Sequence, residues 1–368
     1  GGIHSSLVSV AAQRALSGKL STFNVRFSDQ SYDETWAALA VAKHIGSRHV
    51  TLDMDDGQGT WEHITDLLRH VGQPFADTSL FGVNAVSRVM RAHVTVALSG
   101  DGGDEAFGGY HQYWQLARIA RIQRWPLLLK KGAAIGLRPL AQFGLVPSHW
   151  PQRFSGLAGK GDSAIIHEMF SWVSEEEQRR LCIDFDKALP VRRFFEPQWE
   201  HRLSRGASRV DKLSSLATEV NIRLTLPNDF LFKVDMASMK ESLEIRVPML
   251  DEDLFDFGFT LPHRFKVKDQ VCKLVLREIA DRQLPSAVAQ KPKSGFGIPV
   301  DTWVTKDFKL NLRESLLGSS SRLPEFFDPL AYTPIIEAFC EDRSCFGISR
   351  QGLYNRAIML LSVQVTAE

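Results

Sequence analysis

The chain has 368 residues, 44% of them apolar and 24% charged, with a formal net charge of +1. That is material for one large domain or two ordinary ones, and the near-neutral balance gives no bulk attraction to nucleic acid or to a membrane surface. No apolar run reaches the roughly 20 residues that span a bilayer; the best stretch, Trp125 to Val146, is interrupted by Lys130, Lys131, Arg138 and Pro139.

Taken in order, Ser5 to Leu16 has helical spacing, with Leu7, Val10 and Ala11 on one face and Gly18 as a stop. Thr22 to Phe27 alternates apolar and polar residues as a strand does. Asp33 caps a helix that carries Ala37, Val41 and Ile45 on its apolar face and stops at Gly46. His49 to Met54 reads as the next strand, Trp61 to Val71 as a helix ended before Pro74, and Ser79 to Ala92 as another helix. Val94 to Leu98 is an uninterrupted apolar run, the pattern of a strand buried on both faces. Strands alternating with helices predict an α/β fold, a parallel sheet covered by helices.

After Tyr113 the pattern changes. Residues 114–225 show helical periodicity and no clear strand, 147–163 collect Pro, Gly and Ser as a surface connection, and helices are predicted from 226 to the end, the last over Tyr354 to Val365. No internal repeat or low-complexity tract is visible. The four cysteines, Cys182, Cys272, Cys340 and Cys345, form no CxxC pair. So few in a long chain argue for reduced, mostly buried thiols and a cytoplasmic location.

Three segments carry chemistry. Gly1-Gly2-Ile3-His4-Ser5-Ser6 leads into the first helix. Glycines let backbone amides approach an anion, and a helix N-terminus favours negative charge, so a phosphate site and a plain capped loop both fit. Ser99-Gly100-Asp101-Gly102-Gly103-Asp104-Glu105, followed by Phe107-Gly108-Gly109-Tyr110, comes directly after the apolar strand. Parallel sheets bind ligands at the carboxyl ends of their strands, and glycines beside carboxylates suit a magnesium–phosphate group. The loop has neither the Gly-Lys-Ser/Thr of a Walker A motif nor a Gly-x-Gly-x-x-Gly fingerprint. The third segment runs from Leu226-Pro227-Asn228-Asp229 through Lys233-Val234-Asp235-Met236, Glu244-Ile245-Arg246-Val247-Pro248, Lys273 and Arg277 to Lys291-Pro292-Lys293-Ser294-Gly295-Phe296-Gly297. A buried Glu–Arg pair on a helix would account for Glu244 and Arg246 without catalysis. Lys293, on a Pro/Gly loop, suits closure over a phosphate.

Together these segments closely resemble the asparagine synthase (glutamine-hydrolysing) family, in its C-terminal synthetase domain, a member of the N-type ATP pyrophosphatase (PP-loop) group. The family's Ser-Gly-Asp-Gly-Gly-Asp-Glu is matched at 99–105, its Leu-Pro-Asp-Asp…Lys-Val-Asp-Arg-Ala-Ser-Met…Arg-Val-Pro-Phe-Leu-Asp at 226–251, and its Arg-Pro-Lys-x-Gly-Phe-Gly loop at 291–299. The resemblance implies an adenine nucleotide α-hydrolase-like core over residues 1–113, with its first strand expected before Gly1, and a helical part over 114–368 that completes the synthetase domain. The glutaminase domain that usually precedes it lies outside this chain.

The implied activity is an amide-forming ligase. ATP activates a carboxylate, aspartate by default, as its adenylate, and ammonia or glutamine nitrogen converts it to the amide. Gly1, Gly2, His4, Ser5 and Ser6 would then cradle pyrophosphate, Val25, Ser99 and Gly100 would hold adenosine, and Asp104 would ligate magnesium. Asp101 and Asp229 would sit near the reacting carboxylate and amine, and Lys293 would stabilise the departing pyrophosphate. A homodimer is left open. So are other acceptors, namely a β-lactam, a macrocyclic peptide or a sugar uronate. His4 stands where the family has a metal-binding Asp, which also leaves open a catalytically weakened, nucleotide-binding homologue.

Overall fold

The computed structural model describes residues 2–53, 59–142, 161–186, 191–198, 207–291 and 303–368. The predicted alternation is present in its first hundred residues. Helix α1 (Ile3–Ala15) leads to strand β1 (Ser21–Arg26), α2 (Thr35–Ile45), β2 (Arg48–Asp53), α3 (Trp61–Val71), α4 (Ser79–Arg91), β3 (Val96–Leu98) and the short α5 (Gly103–Phe107). Local side chains set the helix starts. Asp33 Oδ1 accepts from the Thr35 amide at 3.0 Å, Thr60 Oγ1 from His63 at 3.2 Å, and Asp77 Oδ1 from Ser79 at 2.9 Å, each removing one unsatisfied amide from a first turn.

Among the described residues the strands form two parallel pairs. β1 lies beside β2 with Phe23 opposite Val50 and Val25 opposite Leu52. β3 lies beside β4 (Glu244–Arg246), with Ala97 opposite Ile245. β4 corrects the expectation of helices alone after 226. It also corrects the reading of Glu244 and Arg246, whose 2.6 Å ion pair is exposed and sits on a strand. Residues two apart on a strand share a face, which is why these two meet. β3 is not buried on both faces either: Val96 is 39% and Leu98 46% exposed. Among the described residues β4 is the strand it pairs with, so an apolar run alone did not fix its cover.

Three buried clusters hold the elements. The largest joins α3 and α4, through Ile64, Leu67, Leu68 and Phe81, to Trp303, Phe308, Phe339 and the helix Arg350–Ala367. A second seats α1 on α2 and α5 through Ile3, Val8, Val10, Ala37, Val41, Ala106 and Phe107. Val8 and Val10, not Ala11, are the residues of α1 that turn inward; Ala11 is exposed. A third packs Tyr113 and Leu116 against Leu213, Leu216 and Val220. The site lies where the second and third clusters meet. The expected connection at 147–163 falls mostly outside the described residues, as does Met54. The four cysteines form no disulfide and are half-buried, less enclosed than expected. No described helix is long and apolar enough to cross a membrane.

Candidate active site

The start of α1 and the loop after β3 face each other at backbone distance. A Cβ on Gly100 would stand 2.7 Å from His4 Cβ and 2.8 Å from the Ser5 amide nitrogen. Only glycine permits that approach, and it leaves the first turn of α1 beside the loop. Ser5 Oγ donates to the Gly2 carbonyl at 3.1 Å, Ser6 is buried, and the Ser6 amide closes on the same carbonyl at 3.0 Å. On the loop, Ser99 Oγ donates to Asp101 Oδ2 at 2.7 Å, while the Ser99 amide extends the β3–β4 ladder to the Arg246 carbonyl. The ladder therefore fixes where the loop begins.

Asp104, on the first turn of α5, is the centre of charge. Lys273 Nζ lies 2.7 Å from its Oδ1 and His4 Nε2 lies 3.9 Å away. Gly109 passes directly over this carboxylate, and a Cβ there would also meet Lys273 Cε at 2.6 Å. Glu105, next along the helix, is buried and accepts from the Tyr110 hydroxyl. Burial pushes its carboxyl up to about 7; the Tyr110 donor pulls down and the Asp104 charge pushes up. Tyr110 in turn stacks on Phe230 with ring centroids 6.1 Å apart, which brings the second half of the site into contact with the first.

That second half is the π-helical segment Asn221–Leu231, with Pro227 inside it. Proline has no amide to give the helix, and the wider turn, a form found often at functional sites, carries Asp229. Burial and the neighbouring Asp77 charge push the Asp229 carboxyl up to about 7, while Lys233 pulls the other way. Lys233 Nζ sits 2.6 Å from Asp77 Oδ2 and 4.8 Å above the Phe230 ring.

A family model for asparagine synthase matches residues 1–365. The chain belongs to the asparagine synthase family. Asparagine synthetase [glutamine-hydrolyzing] 1 of Bacillus subtilis is 28% identical over 353 residues, which is 94% of this chain and 52% of that protein. A putative asparagine synthetase of Mycobacterium tuberculosis is 28% identical over 330 residues, 87% of this chain and 47% of its own. A second putative asparagine synthetase, from Methanocaldococcus jannaschii, is 30% identical over 246 residues, 65% of this chain and 44% of its own. The chain thus spans about half the length of the relatives it matches.

Of the residues expected from this asparagine synthase resemblance, Gly2, His4, Ser5, Ser6, Ser99, Gly100, Asp101 and Asp104 gather at one place. Asp229 joins them through Phe230, Tyr110 and Glu105. Val25 is on β1, in the other strand pair, packed against the largest core cluster. Gly1 and Lys293 lie outside the described residues. Magnesium, which the family implies, takes oxygen ligands and usually sits on one or two carboxylates together with substrate phosphates. Asp104 supplies one such carboxylate. Among the described residues no three His, Cys, Asp or Glu side chains gather around a point, so the site fits an ion shared with a nucleotide and not an all-protein cage. Sequence reasoning gave no role to Lys273, Tyr110, Asp77 or Lys233. Tyr110 closes the second motif and was legible there; the other three meet their partners only through the fold.

Proposed function

We propose that this chain is the synthetase part of an ATP-dependent amide-forming ligase that converts aspartate to asparagine, with nitrogen arriving as ammonia, released from glutamine as the relatives' names state. The observation that carries this reading is the backbone-to-backbone approach of Gly100 to the first turn of α1. It sets the first-turn amides of α1 beside a glycine loop rich in carboxylates, an arrangement that suits polyphosphate with a divalent ion.

A carboxylate is a poor acyl donor because oxide would have to leave. Attack of its oxygen on the α-phosphorus of ATP forms a C–O–P bond, breaks the bond to pyrophosphate and makes AMP the later leaving group. In this reading the α1 amides with Ser5 and Ser6 hold the pyrophosphate, Ser99 and Gly100 with Val25 hold the adenosine, and Lys293 stabilises the charge that develops as pyrophosphate departs. Magnesium, bound by Asp104 with the nucleotide, supplies further positive charge. Asp101, oriented by Ser99, lies beside the reacting carboxylate. Asp229 lies beside the amine. The free thiols agree with action in the cytoplasm.

Labelled ATP incubated with the full-length protein, aspartate and ammonium gives AMP and pyrophosphate if this is right. ADP and phosphate would overturn the reading. Lys293→Ala should lower pyrophosphate exchange by about 10² to 10³ while ATP still binds.

A further inference from the structure

Asp77 lies in the stretch Pro74 to Ser79, which also looks like the family but has no role assigned by the sequence, and its carboxylate is tightly held. Oδ1 accepts from the Ser79 amide at 2.9 Å and the Ser79 hydroxyl at 2.8 Å, and Oδ2 takes Lys233 Nζ at 2.6 Å. The side chains of Asp77 and Lys233 are only 11% and 10% exposed. Burial pushes the Asp77 carboxyl up, but Lys233 and the Ser79 donors outweigh it and hold the group below the usual carboxylate range. Asp77 is therefore the ionised acceptor. Asp229 precedes Lys233 by about one helical turn, and the Asp77 charge acts on it; two neighbouring carboxyl groups resist being ionised together. With Asp77 held ionised by Lys233 and Ser79, Asp229 is the member of the pair that takes up a proton more readily.

Asp229 Oδ1 is buried and has no hydrogen-bond partner among the described residues. A buried unsatisfied oxygen costs about 1–3 kcal/mol, and such a group calls for an explanation in a ligand, a water or a catalytic duty. The charged groups that face Asp229 are Asp77 before α4, Lys233 on the helix Phe232–Met239, and Glu105 on α5. The first and third favour its proton, and the second opposes it.

We infer that Asp77, fixed by Ser79 and Lys233, is a positioning residue that tunes Asp229 to take the proton released when ammonia attacks the activated carboxyl. The inference rests on the reading that Asp229 faces the amination step. The nitrogen lone pair forms the C–N bond, the acyl C–O bond breaks with its electron pair leaving on AMP, and one N–H proton passes to the Asp229 carboxylate. Arrival of that proton relieves the repulsion from Asp77, so the site binds it more strongly than a lone surface carboxylate would. Ionised Asp229 is the working form. Amidation per free ammonia therefore rises with pH through the Asp229 titration.

The test is the pH profile of ammonia-dependent amide formation by the full-length protein, with pyrophosphate exchange as the check that each variant retains a folded nucleotide site. Asp77→Asn removes the like charge and should move the acid limb to lower pH; Lys233→Met removes the opposing charge and should move it to higher pH. Each shift should be about one pH unit or more, while Lys233→Arg leaves the limb in place. Opposite displacement by the two variants supports the inference. Equal loss of rate in both with an unmoved limb overturns it and makes the ion pair merely structural. Asp229→Asn separates the two levels. If it abolishes the limb while Asp77→Asn and Lys233→Met leave the limb where it was, only the inference falls. If Asp229→Asn leaves the limb intact, the placement of Asp229 at the amination step falls with it.

Discussion

The loop from Ser99 to Tyr110 and the segment from Asn221 to Lys233 touch at the Tyr110–Phe230 stack, but they are built from different materials. The loop is shaped by missing atoms: at Gly100 and Gly109 the space of a Cβ is already taken by His4, Ser5 and Lys273. The helical segment is shaped by charges: Lys233 offsets Asp77, and Asp229 lies against the like charge of Asp77. One half therefore fails when atoms are added and the other when a charge is taken away. Each half also holds one carboxyl that burial pushes up to about 7, Glu105 and Asp229.

The largest effect expected is from Lys273→Ala. Both partners of the Lys273–Asp104 pair are largely enclosed, and removing one side of such a pair costs about 3–5 kcal/mol because the other charge is left stranded. Denaturant unfolding measures it. A cost of that size would show that the loop half also depends on a charge; one under about 1 kcal/mol would show that it is indifferent to charge, like the surface, and would sharpen the contrast between the two halves.

Glu105→Gln tests the protonated carboxyl. Its pKa is raised in the folded state, from 4.5 to about 7. The folded protein thus keeps a proton that the unfolded chain loses, and stability falls as pH rises from about 4.5 to about 7, by about 3 kcal/mol in all. Below that window the group contributes no such loss. In Glu105→Gln the decline across the window should be smaller by that amount. Melting temperatures between pH 4 and 8 give the comparison, and an unchanged slope would mean that Glu105 is ionised in the fold.

Gly100→Ala should cost about 1–3 kcal/mol, the usual penalty for overpacking, and should weaken ATP binding, because the atom that must yield is the Ser5 backbone. Binding calorimetry with a non-hydrolysable ATP analogue checks this. If affinity is unchanged, the loop and α1 are not the walls of one nucleotide site. The smallest effect is reserved for Arg246→Ala. Its ion pair with Glu244 is exposed on both sides, and stability should move by no more than about 0.5 kcal/mol.

These contrasts also explain what could be read in advance. Glycines and carboxylates that shape a loop sit side by side in the chain, so Ser99 to Tyr110 announced itself, and α2 begins just after Asp33, whose side chain takes the Thr35 amide although Glu34 holds the cap position. Spacing says nothing about Lys233 and Asp77, which are 156 positions apart, or about Lys273, whose partner Asp104 lies on a different element. The exposure of β3 was also hidden. An apolar run reports a residue's preference for cover, while its actual cover depends on which strands stand beside it.

The segment that carries Asp77 is pinned from far along the chain. The Phe75 amide donates to Ser362 Oγ at 3.1 Å across 287 positions, and Thr78 Oγ1 donates to Asn355 across 277. Contacts of such sequence separation carry a large loop-closure cost and form slowly. Asp77 should therefore reach its place late in refolding, after the locally ordered turns of α1 and α3. Pulse-labelled hydrogen exchange would show it: protection at the Phe75 amide should lag behind protection within α3, and simultaneous protection would mean that the helix Arg350–Ala367 docks in the first collapse.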